Sequence, residues 1–173
     1  MKNALTLLAI LICACLATVS EPAELQITVR LTTGQHSMDS TSRMTTITVA
    51  GEAIVWKEQI SGGHRAPTPQ SRKEFILSTA DRESLLTLIR AGNLLVTDST
   101  EHSRGDGTSF GYFEIWVELT LDGEKGAINV SGPRTILPIK EEKLYRNTLA
   151  LVRELYRIMH SQDKDVHFEE STF

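Results

Sequence analysis

From Tyr112 to Leu121 the chain alternates. Phe113, Ile115, Val117, Leu119 and Leu121 fall on one side of an extended backbone, and Tyr112, Glu114, Trp116, Glu118 and Thr120 on the other. A period of two marks a strand with one buried face. Asp122-Gly123 then supplies a tight turn, and Ala127 to Val130 the return strand of a hairpin. Leu25, Ile27, Val29 and Leu31 alternate in the same way and predict a strand over 25–33. A further β region runs from Met44 to Ile60, with Ile47, Val49, Ala53, Val55 and Trp56 as its apolar positions and Ala50-Gly51-Glu52 as a break. That pattern fits either a hairpin or one long bent strand. Lys73 to Leu77 reads as a short strand.

The period lengthens to three and four in two places. Ser78 or Thr79 can cap a helix that carries Asp81 and Glu83 near the positive end of its dipole, then Leu85, Leu86, Leu88 and Ile89, and stops at Gly92-Asn93. From Glu141 to His160, the positions Leu144, Tyr145, Thr148, Leu149, Val152, Leu155, Tyr156 and Met159 form one stripe of an amphipathic helix. Polar stretches without periodicity separate these elements: 34–43, the Gly- and Pro-bearing 61–70, and 97–111, the longest. Together the elements predict an α+β fold, an antiparallel sheet built from β-hairpins with two amphipathic helices packed on one face. The layout, strands then helix, occurs twice without any residue-level repeat.

The amino terminus carries a different signal. Lys2 precedes an apolar run from Ala4 to Ala17, broken only by Thr6, and Thr18-Val19-Ser20 places small residues before Glu21. This is the pattern of a cleavable secretory signal, and the run is shorter than the roughly 20 apolar residues of a bilayer span. The expected organisation is a signal peptide over 1–20, one domain over 21–162, and a charged tail over 163–173 that frays. The rival is a degenerate lipobox, Ile12-Cys13-Ala14-Cys15, with Cys15 as the lipidated residue. Both cysteines lie in this segment, so a mature chain beginning at Glu21 has no thiol and no disulfide. Without Lys2, 17 basic residues face 22 acidic ones. A mildly acidic chain is a poor match for a nucleic acid backbone.

Little in the sequence carries chemistry. Asp98, Glu101, His102 and Asp106 cluster on one polar stretch and are weak candidates for a metal site, but their spacing matches no calcium loop. Arg104-Gly105-Asp106 is an adhesion-type tripeptide of low information. Asn129-Val130-Ser131 is a glycosylation pattern on a predicted strand. No Gly-x-Ser-x-Gly elbow or paired-histidine spacing occurs. Glu114 and Glu118 share a strand face, the usual look of a solvated surface. Trp116, with Tyr112 and Glu114, stands on the less buried side of its strand, either as an interface residue or beneath a second layer. The expected binding residues are therefore Trp116, Tyr112, Glu114, Arg104 and Asp106; no catalytic residue, cofactor or firm metal ligand is assigned.

The order strand, hairpin, helix ending in Ala91-Gly92-Asn93-Leu94-Leu95, then Tyr112-Phe113-Glu114-Ile115-Trp116-Val117, Ile128-Asn129-Val130-Ser131-Gly132 and a closing helix resembles the emfourin family. That resemblance is one of layout and implies inhibition of thermolysin-like metalloproteases; it assigns no inhibitory residue. The expected function is a non-enzymatic binding or inhibitory module of the cell envelope or secreted space. Its expected partner is another exported protein, and its location is periplasmic or secreted, or lipid-anchored if Cys15 is modified. The alternative is a small hydrolase using loop carboxylates or a loop-bound metal.

Overall fold

The structure, a computed structural model, describes residues 24–35, 41–62, 70–95, 99–102, 111–133 and 143–168. Among these, seven strands form one sheet: β1 (Leu25–Gln35), β2 (Thr41–Ala50), β3 (Ala53–Gly62), β4 (Ser71–Ile76), β5 (Ser99–His102), β6 (Gly111–Leu121) and β7 (Glu124–Pro133). The helices are α1 (Thr79–Gly92) and α2 (Lys143–Gln162). The strand order is β4-β3-β2-β1-β6-β7-β5. All pairs are antiparallel except β5, which runs parallel to β7. The fold class is α+β, as the two periodicities predict.

Turn chemistry fixes which side chains face inward. Gly51, at φ 60°, opens a two-residue turn that registers Ala50 with Ala53 and Val49 with Ile54. Because registered residues share a face, Ile54 and Trp56 point the same way as Val49 and Ile47. The region 44–60 is therefore a hairpin. Its inward residues on β3 are Ile54 and Trp56, both buried, whereas Ala53 is exposed and Val55 half-buried. This corrects the expected apolar set, which placed Ala53 and Val55 in the pattern without the turn to set their parity. Asp122 and Gly123, both at positive φ, close the β6–β7 hairpin in the same two-residue manner.

Part of 97–111 is a strand, where the sequence predicts an aperiodic polar connection. Within that stretch Ser99–His102 forms β5, pairing with residues 128–131 of β7. A short polar strand on a sheet edge need bury neither face, so it shows no alternation to find.

The buried residues of the strands share one face of the sheet. Leu25, Ile27, Val29 and Leu31 of β1 are buried, as are Ile47 and Val49 of β2, the five apolar residues predicted on β6, and Ile128 and Val130 of β7. α1 buries Leu85 and Ile89. It begins where Ser78 Oγ accepts the Asp81 N–H at 3.2 Å, and stops at Asn93 in the left-handed region, φ 51°. α2 buries a wider stripe than expected, with Leu151 and Ile158 added to the predicted positions. The rings of Phe113 on β6 and Tyr145 on α2 meet with centroids 6.1 Å apart. Residues 163–168, which the sequence reading leaves to a charged tail, pack back: Val166 is buried, its carbonyl 3.0 Å from His160 Nδ1, and Phe168 stacks obliquely on Tyr156.

The β4 edge is covered locally. Gln162 at the end of α2 accepts the Ile76 N–H at 3.0 Å and donates to the Ile76 carbonyl at 2.8 Å, occupying one residue's worth of free ladder.

Candidate functional site

On the outward face, register brings Arg30 of β1, Trp116 of β6 and Asn129 of β7 into one row. The Arg30 guanidinium carbon lies 3.9 Å from the centroid of the Trp116 ring, a cation–π stack on an exposed strand neighbour. Trp116, half-buried, thus meets a side chain of the adjacent strand. One row along, Glu114 accepts a hydrogen bond from Asn129 Nδ2 at 3.1 Å, while Asn129 Oδ1 is buried without a partner. Asn129 is half-buried between strands, so the glycosylation pattern sits in a sheet and not on a loop. Glu118 is exposed two residues beyond Trp116.

Tyr112 has a structural role on this face. Its ring lies over Gly34, its register partner, so closely that a methyl group on Gly34 would sit 2.5 Å from the ring. Trp116, Tyr112 and Glu114 are brought onto one face, as their spacing predicts. Asp98, Arg104, Asp106 and Cys15 lie outside the described residues. The backbones of Glu101 and His102 belong to β5, registered with Val130 and Ser131. Among the described residues, no three His, Cys, Asp or Glu side chains gather as a metal site. Among the same residues no helix is long and apolar enough to cross a membrane.

A second feature, unforeseen from the sequence, opens at one end of the inward face. A pocket of 170 Å³ is bounded by Leu31 and Thr33 of β1, Arg43 and Thr45 of β2, Trp56 and Glu58 of β3, Tyr156 of α2, and residues 165–168. Here the inward positions change character. Leu31 is followed by Thr33, Ile47 is preceded by Thr45 and Arg43, and Trp56 is followed by Glu58. Thr33 and Thr45 are both buried. Arg43 Nε and Glu58 Oε1 pair at 3.5 Å. The Tyr156 hydroxyl is held above its ordinary pKa chiefly by burial, against the opposing pull of the Trp56 and Thr45 side chains beside it. Trp56 is 8% exposed, and its Nε1 is buried without a hydrogen-bond partner.

The signal for this pocket was present in the sequence but legible only with register. Each polar residue stands at the right parity for the core and looks, along its own strand, like the strand's end.

A polar seam joins the helices beside the core. Arg157 of α2 bonds both Asp81 of α1 and Glu154, and Ser84 Oγ donates to Glu154 at 2.7 Å. The Ser78 hydroxyl, then Arg157, hold the Asp81 carboxyl below its ordinary range; Arg157, then Ser84, do so for Glu154. Asn147 Nδ2 donates to the Gly92 carbonyl at 3.0 Å, tying the end of α1 to the first turns of α2. These groups are engaged with one another and act as fasteners.

The chain matches no family model and no curated protein.

Proposed function

We propose that this protein is an exported, non-enzymatic binding module that meets another exported protein through the outward sheet face around Trp116. The observation that carries this reading is the Arg30–Trp116 stack, set among Glu114, Glu118 and Asn129. Tryptophan and arginine are the residues that dominate contact energies at protein interfaces, and charges around an aromatic centre suit a polar rim. The architecture supports it if both helices cover the inward face. The Phe113–Tyr145 contact, the Arg157 and Asn147 bonds between helices, and the single buried parity of the strands favour that arrangement. The layout resemblance to emfourins makes inhibition of a thermolysin-like metalloprotease the first specific form of binding to assay.

Location belongs to the same proposal. Cleavage after Ser20 gives a chain starting at Glu21 in the periplasm or medium, while a lipidated Cys15 gives an anchored one. Mass spectrometry of the mature amino terminus separates the two, and a chain still starting at Met1 removes export altogether. The binding surface is tested with a photo-crosslinking residue at the exposed position 118, beside Trp116, and a control at Ile76, which is 71% exposed on the β4 edge. A discrete heterologous adduct from position 118 alone, abolished by Arg30→Ala or Trp116→Ala, is the expected result. Identical adducts from both positions, or none from 118, would remove the outward face as the binding site.

A further inference from the structure

We propose that the pocket at the end of the inward face binds a free α-amino acid with an apolar side chain. This goes beyond the outward-face reading, uses different residues and stands or falls separately from it.

Replacing core methyls by polar groups is unfavourable unless every polar atom finds a partner. Here Thr33, Thr45, Arg43, Glu58 and the Tyr156 hydroxyl all converge on one small space, although the rest of the strand core is Leu, Ile, Val and Phe. One polar atom of the set, the buried Trp56 Nε1, makes no hydrogen bond of good geometry, although the Tyr156 hydroxyl lies beside it. A buried donor so poorly matched has capacity for a better-placed acceptor.

Charge and shape then restrict the ligand. Arg43 and Glu58 form an adjacent positive and negative pair on the lining, each partly open to solvent, and Asp165 and His167 line the same pocket, Asp165 adding to the acidic side that an ammonium would face. A ligand with one charge would pair with one of them and be repelled by the other. A zwitterion carries both signs a few bonds apart: its carboxylate faces Arg43 and offers an oxygen towards Trp56 Nε1, and its ammonium faces Glu58. Behind the charges lie Leu31, Trp56, Tyr156 and Phe168, an apolar and aromatic wall. The volume, 170 Å³, is close to that of cavities of about 150 Å³ that accept benzene, so side chains from isobutyl to benzyl are the right size.

The chain supplies its own reporter. It contains two tryptophans, so Trp116→Phe leaves Trp56 as the single indole. In that full-length variant, titration with phenylalanine or leucine should change Trp56 emission saturably and raise the melting temperature in step with ligand concentration. Glycine, phenethylamine and 3-phenylpropionate, which lack the side chain, the carboxylate and the ammonium respectively, should each bind at least about tenfold more weakly. Arg43→Ala and Glu58→Gln, both at partly exposed positions, should weaken phenylalanine by a similar factor while their unliganded melting curves show that they fold. The proposal is overturned if no saturable change occurs up to about 10 mM, well beyond the millimolar range of weak specific sites. It is equally overturned if either singly charged analogue binds as well as phenylalanine.

Discussion

The two faces of the sheet are made from the same strands and much the same backbone preferences, yet they do opposite things. Inward, β1, β2 and β6 carry Leu25, Ile27, Val29, Leu31, Ile47, Val49, Ile115 and Val117, all buried. Outward, β1 and β2 carry Thr28, Thr32, Thr46 and Thr48, half-buried at most. Threonine keeps the branched Cβ that suits a strand and exchanges a methyl for a hydroxyl that tolerates water. The backbone is thus equally supported on both faces, and only burial differs. The Arg30–Trp116 stack departs from this contrast on the outward face, and on the inward face Thr33, Thr45, Arg43 and Glu58 do so where they replace aliphatic residues. Both proposals about binding rest on those departures.

The largest effect expected from this contrast comes from truncating the inward face. Ile115→Ala or Leu155→Ala, at positions with no exposure, should cost about 2–5 kcal/mol in denaturant unfolding. Thr48→Ala on the outward face should stay within about 0.5 kcal/mol. A Thr48→Ala cost comparable to that of Ile115→Ala would mean that the outward face is covered as well.

Much of this contrast could be read from the sequence. The β6 alternation assigned Phe113, Ile115, Val117, Leu119 and Leu121 to the core, and all five are buried. The stripe of α2 was legible for the same reason: one periodicity sustained over many residues. Where information was local and non-periodic, reading failed. On the sequence alone Ala53 and Val55 pass for core positions in place of Ile54, because parity across a two-residue turn depends on the partner strand. β5 was missed because its pairing is supplied by β7, not by its own pattern. Val166 and Phe168 pack on the core as single anchors after a helix, with no stripe to announce them. The outward candidates Trp116, Tyr112 and Glu114 were legible as one face, but the Gly34 beneath Tyr112 and the Arg30 over Trp116 required register.

Gly34 is a buried position covered from the outward side. Gly34→Ala places a methyl 2.5 Å from the Tyr112 ring and forces that ring to move. Overpacking of this kind should cost roughly 1–3 kcal/mol. In the Tyr112→Ala background the same substitution should cost much less, and a double-mutant cycle reads the difference as coupling. Additive effects would show that the ring does not depend on the missing Cβ.

The inward face should also differ in its response to pH. Burial raises the Tyr156 pKa above its ordinary 10.0, so the folded state holds that proton more tightly than the unfolded chain does. Its contribution is complete below pH 10 and is lost as pH rises through the folded value. Melting temperature should therefore fall in that alkaline range, and Tyr156→Phe should flatten the fall. Asp81 and Glu154 act in the opposite sense. Their folded pKa values lie below the ordinary 3.8 and 4.5, so the stability they give is complete above those values and lost as pH drops through the lowered ones. Asp81→Asn with Glu154→Gln should flatten the acid limb and leave the alkaline limb unchanged. Arg157 is about half exposed, so added salt should shrink the acid effect.

The smallest effect is the one that bears most directly on the outward face. An exposed cation–π stack such as Arg30 on Trp116 is worth about 0.5–1 kcal/mol, so the coupling between Arg30→Ala and Trp116→Ala in unfolding should fall in that range. Either single substitution should lower stability far less than Ile115→Ala. A binding surface predicts a second number from the same substitutions: loss of the position-118 adduct should be large where loss of stability is small. If instead the coupling reached the cost of a core truncation, the stack would be a structural clamp across β1 and β6. The outward face would then hold the sheet together as the inward one does.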